Sequence, residues 1–268
     1  MKYNPYDSIP YFTVNAPVDF PICMLPSTGG MRTAAKKLKD PEYYKKVFRL
    51  NSYKYRSDEF TKKHDGKHIL FAGCSVTYGD GVWEENIWAR KVYDSISETE
   101  KTSGYFNIGS NGASPIEILD LIFTYCFTFG IPDEIFVSFP EFNRDITEEA
   151  LTDDLKGKEA NRFIMMLGWL KLMCKHEGVG LYVMNWHYQF PERRDILAAY
   201  RAIDNYGDFT EKEIEEFMFE YDEERRHTHP RFKFFRIGFD NGHPGISPHA
   251  FWGSMMYNMY RRNRDKKD

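Results

Sequence analysis

Ser75 stands between glycines in the segment Gly73-Cys74-Ser75-Val76-Thr77-Tyr78-Gly79-Asp80-Gly81. A serine held on such a turn exposes its hydroxyl, and glycine leaves the neighbouring backbone N–H groups accessible. That pairing suits attack on an acyl carbon and stabilisation of the resulting oxyanion. A glycine-rich turn can also cradle phosphate, but this one lacks the G-K-[ST] ending of a nucleoside triphosphate site. Far downstream, Asp240-Asn241-Gly242-His243-Pro244 puts a carboxylate three residues before an imidazole on a tight loop. There the carboxylate can fix the imidazole tautomer and stabilise its protonated form. Two further stretches are polar and rich in small residues or turn formers. Asn107-Ile108-Gly109-Ser110-Asn111-Gly112-Ala113-Ser114 leads into a helix, whose first N–H groups favour negative charge, or is an ordinary connection. In Ser138-Phe139-Pro140-Glu141-Phe142-Asn143-Arg144-Asp145, the Asn143 amide could donate to an oxyanion or close an Asx-turn.

The elements that must hold these residues are legible from residue 67 onward. Short apolar runs at 68–73, 105–108, 134–139, 180–185 and 234–237 read as strands, with helical patterns near 84–98, 115–129, 159–176 and 246–262. The helix at 115 opens on Ser114-Pro115-Ile116-Glu117, a hydroxyl cap, a first-turn proline and a capping-box glutamate. Strand–helix alternation with apolar strands predicts a three-layer α/β/α sandwich of flavodoxin-like form, with a parallel sheet of about five strands. In such a sheet, chemistry gathers beyond the carboxyl ends of the strands, where all four polar segments fall. Residues 1–66 are expected to form an irregular arm and helical segment packed on the body. Residues 67–268 form the α/β domain, with a charged helical insertion at 190–232. That insertion would rim the site or lie as a solvated pair on the far side of the sheet.

Taken together, the four segments resemble the SGNH hydrolases, the GDSL-like esterase and lipase superfamily. Its marker residues fall, in chain order, on Ser75, Gly112, Asn143 and His243, and its triad aspartate falls on Asp240. The stretch from Arg49 to Arg56 is similar to the segment that precedes the first block in many members, so the resemblance spans about residues 47–262. Two blocks depart from the pattern: Cys74 stands where the family often has Asp, and Glu141-Phe142-Asn143-Arg144 lacks the glycine of Gly-x-Asn-Asp. The resemblance implies a serine esterase with no cofactor. Ser75 would be the nucleophile, His243 the general base and acid, and Asp240 its orienting carboxylate. The N–H groups of Ser75 and Gly112 and the amide of Asn143 would form the oxyanion hole. As a polar, aromatic-flanked rim, the 190–232 insertion would suit a hydrated substrate, so the expected substrates are short-chain esters, with O-acetylated carbohydrate foremost. Similar first blocks occur in bacteria and their phages, which makes a non-catalytic, virion-associated protein of the same fold the rival.

Composition narrows the field further. Lys and Arg total 36 against 40 Asp and Glu, a formal charge of −4. That balance disfavours general nucleic-acid binding, which depends on a basic surface. No apolar stretch spans a bilayer and no secretory signal opens the chain, so the expected compartment is the cytoplasm. The 4 cysteines (Cys23, Cys74, Cys126, Cys174) form no C-x-x-C pair and read as free thiols, Cys74 pointing into the sheet rather than serving as a nucleophile. His227, His229, His243 and His249 lack a zinc template, so no metal is expected. Tyr182, Trp186, Tyr188, Phe190 and Trp252 are either core or a sugar-stacking platform. The tail Arg261-Arg262-Asn263-Arg264 suits a solvated helix end.

Overall fold

In the computed structural model the described residues are 20, 21, 23, 49–141, 153–186, 194–226, 228–240 and 242–266. Five parallel strands run in the order β2-β1-β3-β4-β5. They are β1 (Lys67–Gly73), β2 (Thr102–Asn107), β3 (Glu134–Phe139), β4 (Gly180–Asn185) and β5 (Asn205–Gly207). The central strands β3 and β4 are buried along their whole length, as a sheet covered on both faces requires. The helices are α1 (Ser75–Tyr78), α2 (Trp88–Ser97), α3 (Pro115–Phe129), α4 (Asp153–Glu177), α5 (Arg194–Arg201), α6 (Glu211–Arg225) and α7 (Ile246–Arg264). Helices α2 and α7 pack together on one face with α6 against α7, while α3, α4 and α5 cover the other. This is the three-layer α/β/α sandwich expected from the sequence. No helix among the described residues is long and apolar enough to cross a membrane.

Local chemistry explains the elements. At the start of α3 the Ser114 hydroxyl accepts from the Glu117 N–H, and the Glu117 carboxylate accepts from the Ser114 N–H at 2.8 Å. Aromatics fill the layers: Phe71 stacks on Phe136 at 5.2 Å, and Phe136 stacks on Tyr182 at 4.5 Å. In the same core, Phe20, Tyr53, Phe60, Tyr125 and Phe129 pack together and fasten the 49–60 segment to α3.

The fifth strand lies elsewhere than the sequence pattern places it. It is Asn205–Gly207, inside the segment expected as a helical insertion. Phe234–Ile237 is not a strand: Phe232–Phe234 is a 3-10 turn, and Ile237 makes only an isolated antiparallel bridge to Pro244. The aromatic run there serves packing, with Phe234 and Phe235 both buried beside Trp83, Tyr221 and His229.

With strand order 2-1-3-4-5, the crossover from β1 to β2 and the next one, from β2 through α3 to β3, run in opposite directions, so β2 and β3 flank β1. The crevice at the carboxyl ends of β1 and β3 is therefore the switch point where this architecture places its ligands. The chain leaves β1 there through Cys74 and Ser75.

Candidate active site

Ser75 opens the single-turn helix α1 directly after β1 and is buried. The turn is tight because Gly73 sits against it. A Cβ on Gly73 would lie 2.0 Å from Thr77 Oγ1 and 2.7 Å from the Ser138 carbonyl. The Gly79 and Asp80 N–H groups both donate to the Ser75 carbonyl, at 2.8 and 3.0 Å, curling the chain back on itself. Thr77 is wholly buried, and its hydroxyl accepts from the Trp88 indole N–H at 3.3 Å.

Two buried polar residues hold this turn from outside. Asn107 at the end of β2 donates through Nδ2 to the Thr77 carbonyl at 2.8 Å, and its Oδ1 accepts from the Gly109 N–H at 2.8 Å. One side chain thus ties the Asn107–Ser114 segment to the Ser75 turn. Arg56 is entirely buried and donates through Nη1 to the Gly79 carbonyl at 2.5 Å and the Val82 carbonyl at 3.2 Å. Burial lowers its proton affinity, while Tyr78, Tyr105, Glu84 and Asp80 act the other way. Arg56→Met would leave two buried carbonyls without these donors. We expect a loss of about 2–4 kcal/mol in stability, seen as a lower urea midpoint at an unchanged slope.

The Asp240–His243 loop is a closed turn. The Gly238 N–H donates to the His243 carbonyl at 2.9 Å, and the Gly245 N–H donates to the Arg236 carbonyl at 3.0 Å. Asp240 Oδ1 accepts from the N–H groups of Gly242 and His243 at 3.0 and 3.1 Å. Its Oδ2 faces His243 Nδ1 at 2.5 Å. Burial opposes ionisation of Asp240, but the hydrogen bonds from His243 and the Gly242 N–H, with the imidazole charge, hold its carboxyl below the ordinary range. An ionised Asp240 therefore fixes the proton of a neutral His243 on Nδ1 and leaves Nε2 as the basic nitrogen.

The two turns touch. The Phe239 N–H donates to the Gly81 carbonyl at 2.9 Å. Gly81 has φ +79°, and a Cβ there would stand 2.8 Å from Asp240 Oδ1 and 3.2 Å from His243 Cβ. Only glycine allows this approach. His243 Nε2 lies 3.9 Å from Asp80 Oδ2, on the same turn as Ser75. Gly112 is exposed with φ +75°, and nothing stands within 4 Å of where its Cβ would be. It borders a surface cavity of about 290 Å³ lined by Tyr55, Ser110, Asn111, Glu117, Asp120 and Leu121, among others. Asn143 lies outside the described residues, as do His227, Tyr188 and Phe190.

Other candidates take structural places. Cys74 is fully buried in the core. Burial pushes the Cys23 thiol up to about 11 and Cys174 to about 12. His249, also fully buried, accepts through Nδ1 from the Trp88 N–H at 3.2 Å, and burial pulls it down to about 3. His229 Nδ1 accepts from the Arg231 N–H. Of the aromatics that could have made a sugar platform, Tyr182 and Trp252 are core residues. Within the 190–232 segment, Arg201 pairs with Asp208, and Arg225 and Arg226 pair with Glu224 and Glu223. Helix α6 braces the histidine loop from behind, because its Asp222 accepts from Arg236 and from the Ser247 hydroxyl.

No protein-family model and no curated protein sequence matches the chain. Among solved structures it is similar to the psychrotrophic esterase EstA from Pseudoalteromonas sp., at 12% identity over 74% of this chain and 98% of that one, with a TM-score of 0.46. A putative acylhydrolase from Bacteroides fragilis is similar at 13% identity over 75% of this chain and 88% of that one, with a TM-score of 0.40. A mutant acetyl-xylooligosaccharide esterase from Geobacillus matches at 14% identity over 75% of this chain and 95% of that one, with a TM-score of 0.39.

Proposed function

We propose that the chain is a serine ester hydrolase in which Ser75, His243 and Asp240 act together. The observation that supports this most is the Asp240–His243 pair at 2.5 Å, packed directly against the turn that bears Ser75. His243 Nε2 takes the Ser75 proton as the hydroxyl attacks the ester carbon, and Asp240 stabilises the imidazolium so formed. The oxyanion is received by the N–H groups of Ser75 and Gly112 and by the Asn143 amide. His243 then protonates the leaving alcohol, and a water activated by the same nitrogen releases the acyl group.

The substrate we propose is a short-chain ester, with O-acetylated carbohydrate foremost. The carboxylates Asp80, on the Ser75 turn, and Asp240, on the histidine loop, favour a hydrated substrate, while the cavity beside Gly112 mixes Ser110, Asn111, Glu117 and Asp120 with the apolar Tyr55, Ala113 and Leu121. Burying a long acyl chain contributes about 0.8 kcal/mol per methylene only in an apolar groove. Across p-nitrophenyl esters from acetate to decanoate, kcat/KM is expected to peak at acetate or propionate and then fall. A steady rise with chain length would reveal an apolar groove and remove the carbohydrate reading. No turnover of any ester by the folded protein would favour a binding protein that keeps the fold.

A further inference from the structure

Asp240 occupies Nδ1 of His243, so Nε2 is the nitrogen left for chemistry, and that nitrogen has a second carboxylate beside it. Asp80 Oδ2 lies 3.9 Å from Nε2. Asp80 is buried, at 6% exposure, and its own N–H donates to the Ser75 carbonyl at 3.0 Å, so the Ser75 turn fixes where the carboxylate sits. The separation is that of an ion pair rather than a hydrogen bond.

Around this pair stand Asp240 on the histidine's own loop and His249 on α7, the latter held neutral by burial and by the Trp88 N–H. Arg56, from the segment before β1, and Lys91, on α2, bring positive charge to the same region. Cys23 and Tyr78, both near Asp80, have their thiol and phenol raised by burial and stay neutral. Asp80 is thus the negative charge facing the basic nitrogen itself.

We propose that Asp80 is a positioning residue for His243: its carboxylate stabilises the imidazolium at Nε2 and sets the pH above which the general base is available. The inference rests on the serine-hydrolase reading for its consequence in catalysis. In that cycle one proton moves from Ser75 Oγ to Nε2 and on to the leaving oxygen, and Asp80 lowers the energy of the state in which Nε2 holds it. The cost is a resting enzyme that stays protonated, and so idle, to a higher pH.

The sign follows directly. A nearby anion favours the charged imidazole, so removing it makes the neutral base available in more acid solution. Asp80→Asn keeps the shape and removes the charge. We expect the acid limb of kcat/KM for p-nitrophenyl acetate to move about one pH unit lower. The His243 imidazole resonances, titrated by NMR without substrate, should move their midpoint by the same amount. Asp80→Glu, which keeps the charge, should keep both near wild type, and Asp80→Ser supplies the neutral comparison if the Asn variant does not fold. An NMR midpoint unchanged between charged and neutral variants overturns the proposal. The titration needs no turnover, so a chain that hydrolyses no ester but shows the shifted midpoint would overturn the hydrolase reading and keep the Asp80–His243 coupling. Turnover that Ser75→Ala abolishes, together with an unshifted midpoint, would overturn the role of Asp80 alone.

Discussion

Ser75→Ala is expected to lower kcat on p-nitrophenyl acetate by about 10⁴–10⁶-fold, and adding His243→Ala to it should cost little more. In the proposed mechanism the two side chains serve one proton transfer. Losing the hydroxyl removes the proton to be moved, and losing the imidazole removes the group that takes it. The double variant should therefore be about as slow as either single one, and the residual rate is that of substrate binding and the oxyanion donors. Both variants should keep the fold. Ser75 opens a four-residue turn anchored by backbone hydrogen bonds and by the side chains of Arg56, Asn107 and Trp88, none of which needs the Ser75 hydroxyl. Losses that multiply would mean that the two residues act on separate steps.

Asp240→Asn should lower kcat by about 10⁴-fold while the far-ultraviolet spectrum stays unchanged. The amide oxygen of Asn can still accept from the Gly242 and His243 N–H groups as Oδ1 does now. Its NH₂ then faces Nδ1, which must become the acceptor, and the imidazole proton moves to Nε2. That tautomer cannot accept the Ser75 proton. Stability should respond as well. The folded state holds the Asp240 carboxyl below its unfolded range, so this contribution is present above the unfolded value near 4 and is lost as pH falls through the lower folded one. The wild type should therefore be more stable than Asp240→Asn at neutral pH, and the gap should close in acid. Full activity in Asp240→Asn would show that another group orients His243.

The strands β1, β3 and β4 and the helix α3 stand where the sequence pattern puts them. Their signals are local: runs buried on both faces, and a capping box that needs only Ser114 and Glu117. The last strand was not legible. Asn205–Gly207 is three residues long with no apolar pattern, and it joins the sheet only because β4 offers an edge. Conversely, the aromatics at 234–237 imitate a strand because they fill the space between Trp83, Tyr221 and the histidine loop. The same confusion of density with purpose made Tyr182 a candidate sugar platform, whereas it lies buried on Phe136. Within the site, Asp240 and His243 announce themselves by a spacing of three. Arg56 and Asp80 carry no such signal, since each acquires its role from a partner far along the chain, at Gly79 and His243.

The most direct measurement of the central claim is covalent trapping. A small fluorophosphonate is attacked fastest by a hydroxyl made nucleophilic by an adjacent base. Incubated with the protein and mapped by peptide mass spectrometry, it should label Ser75 with one phosphonyl group per chain, abolish ester hydrolysis in proportion, and leave Ser75→Ala unlabelled. Ester hydrolysis that persists in Ser75→Ala, or inactivating label found on another residue, would contradict Ser75 as the nucleophile.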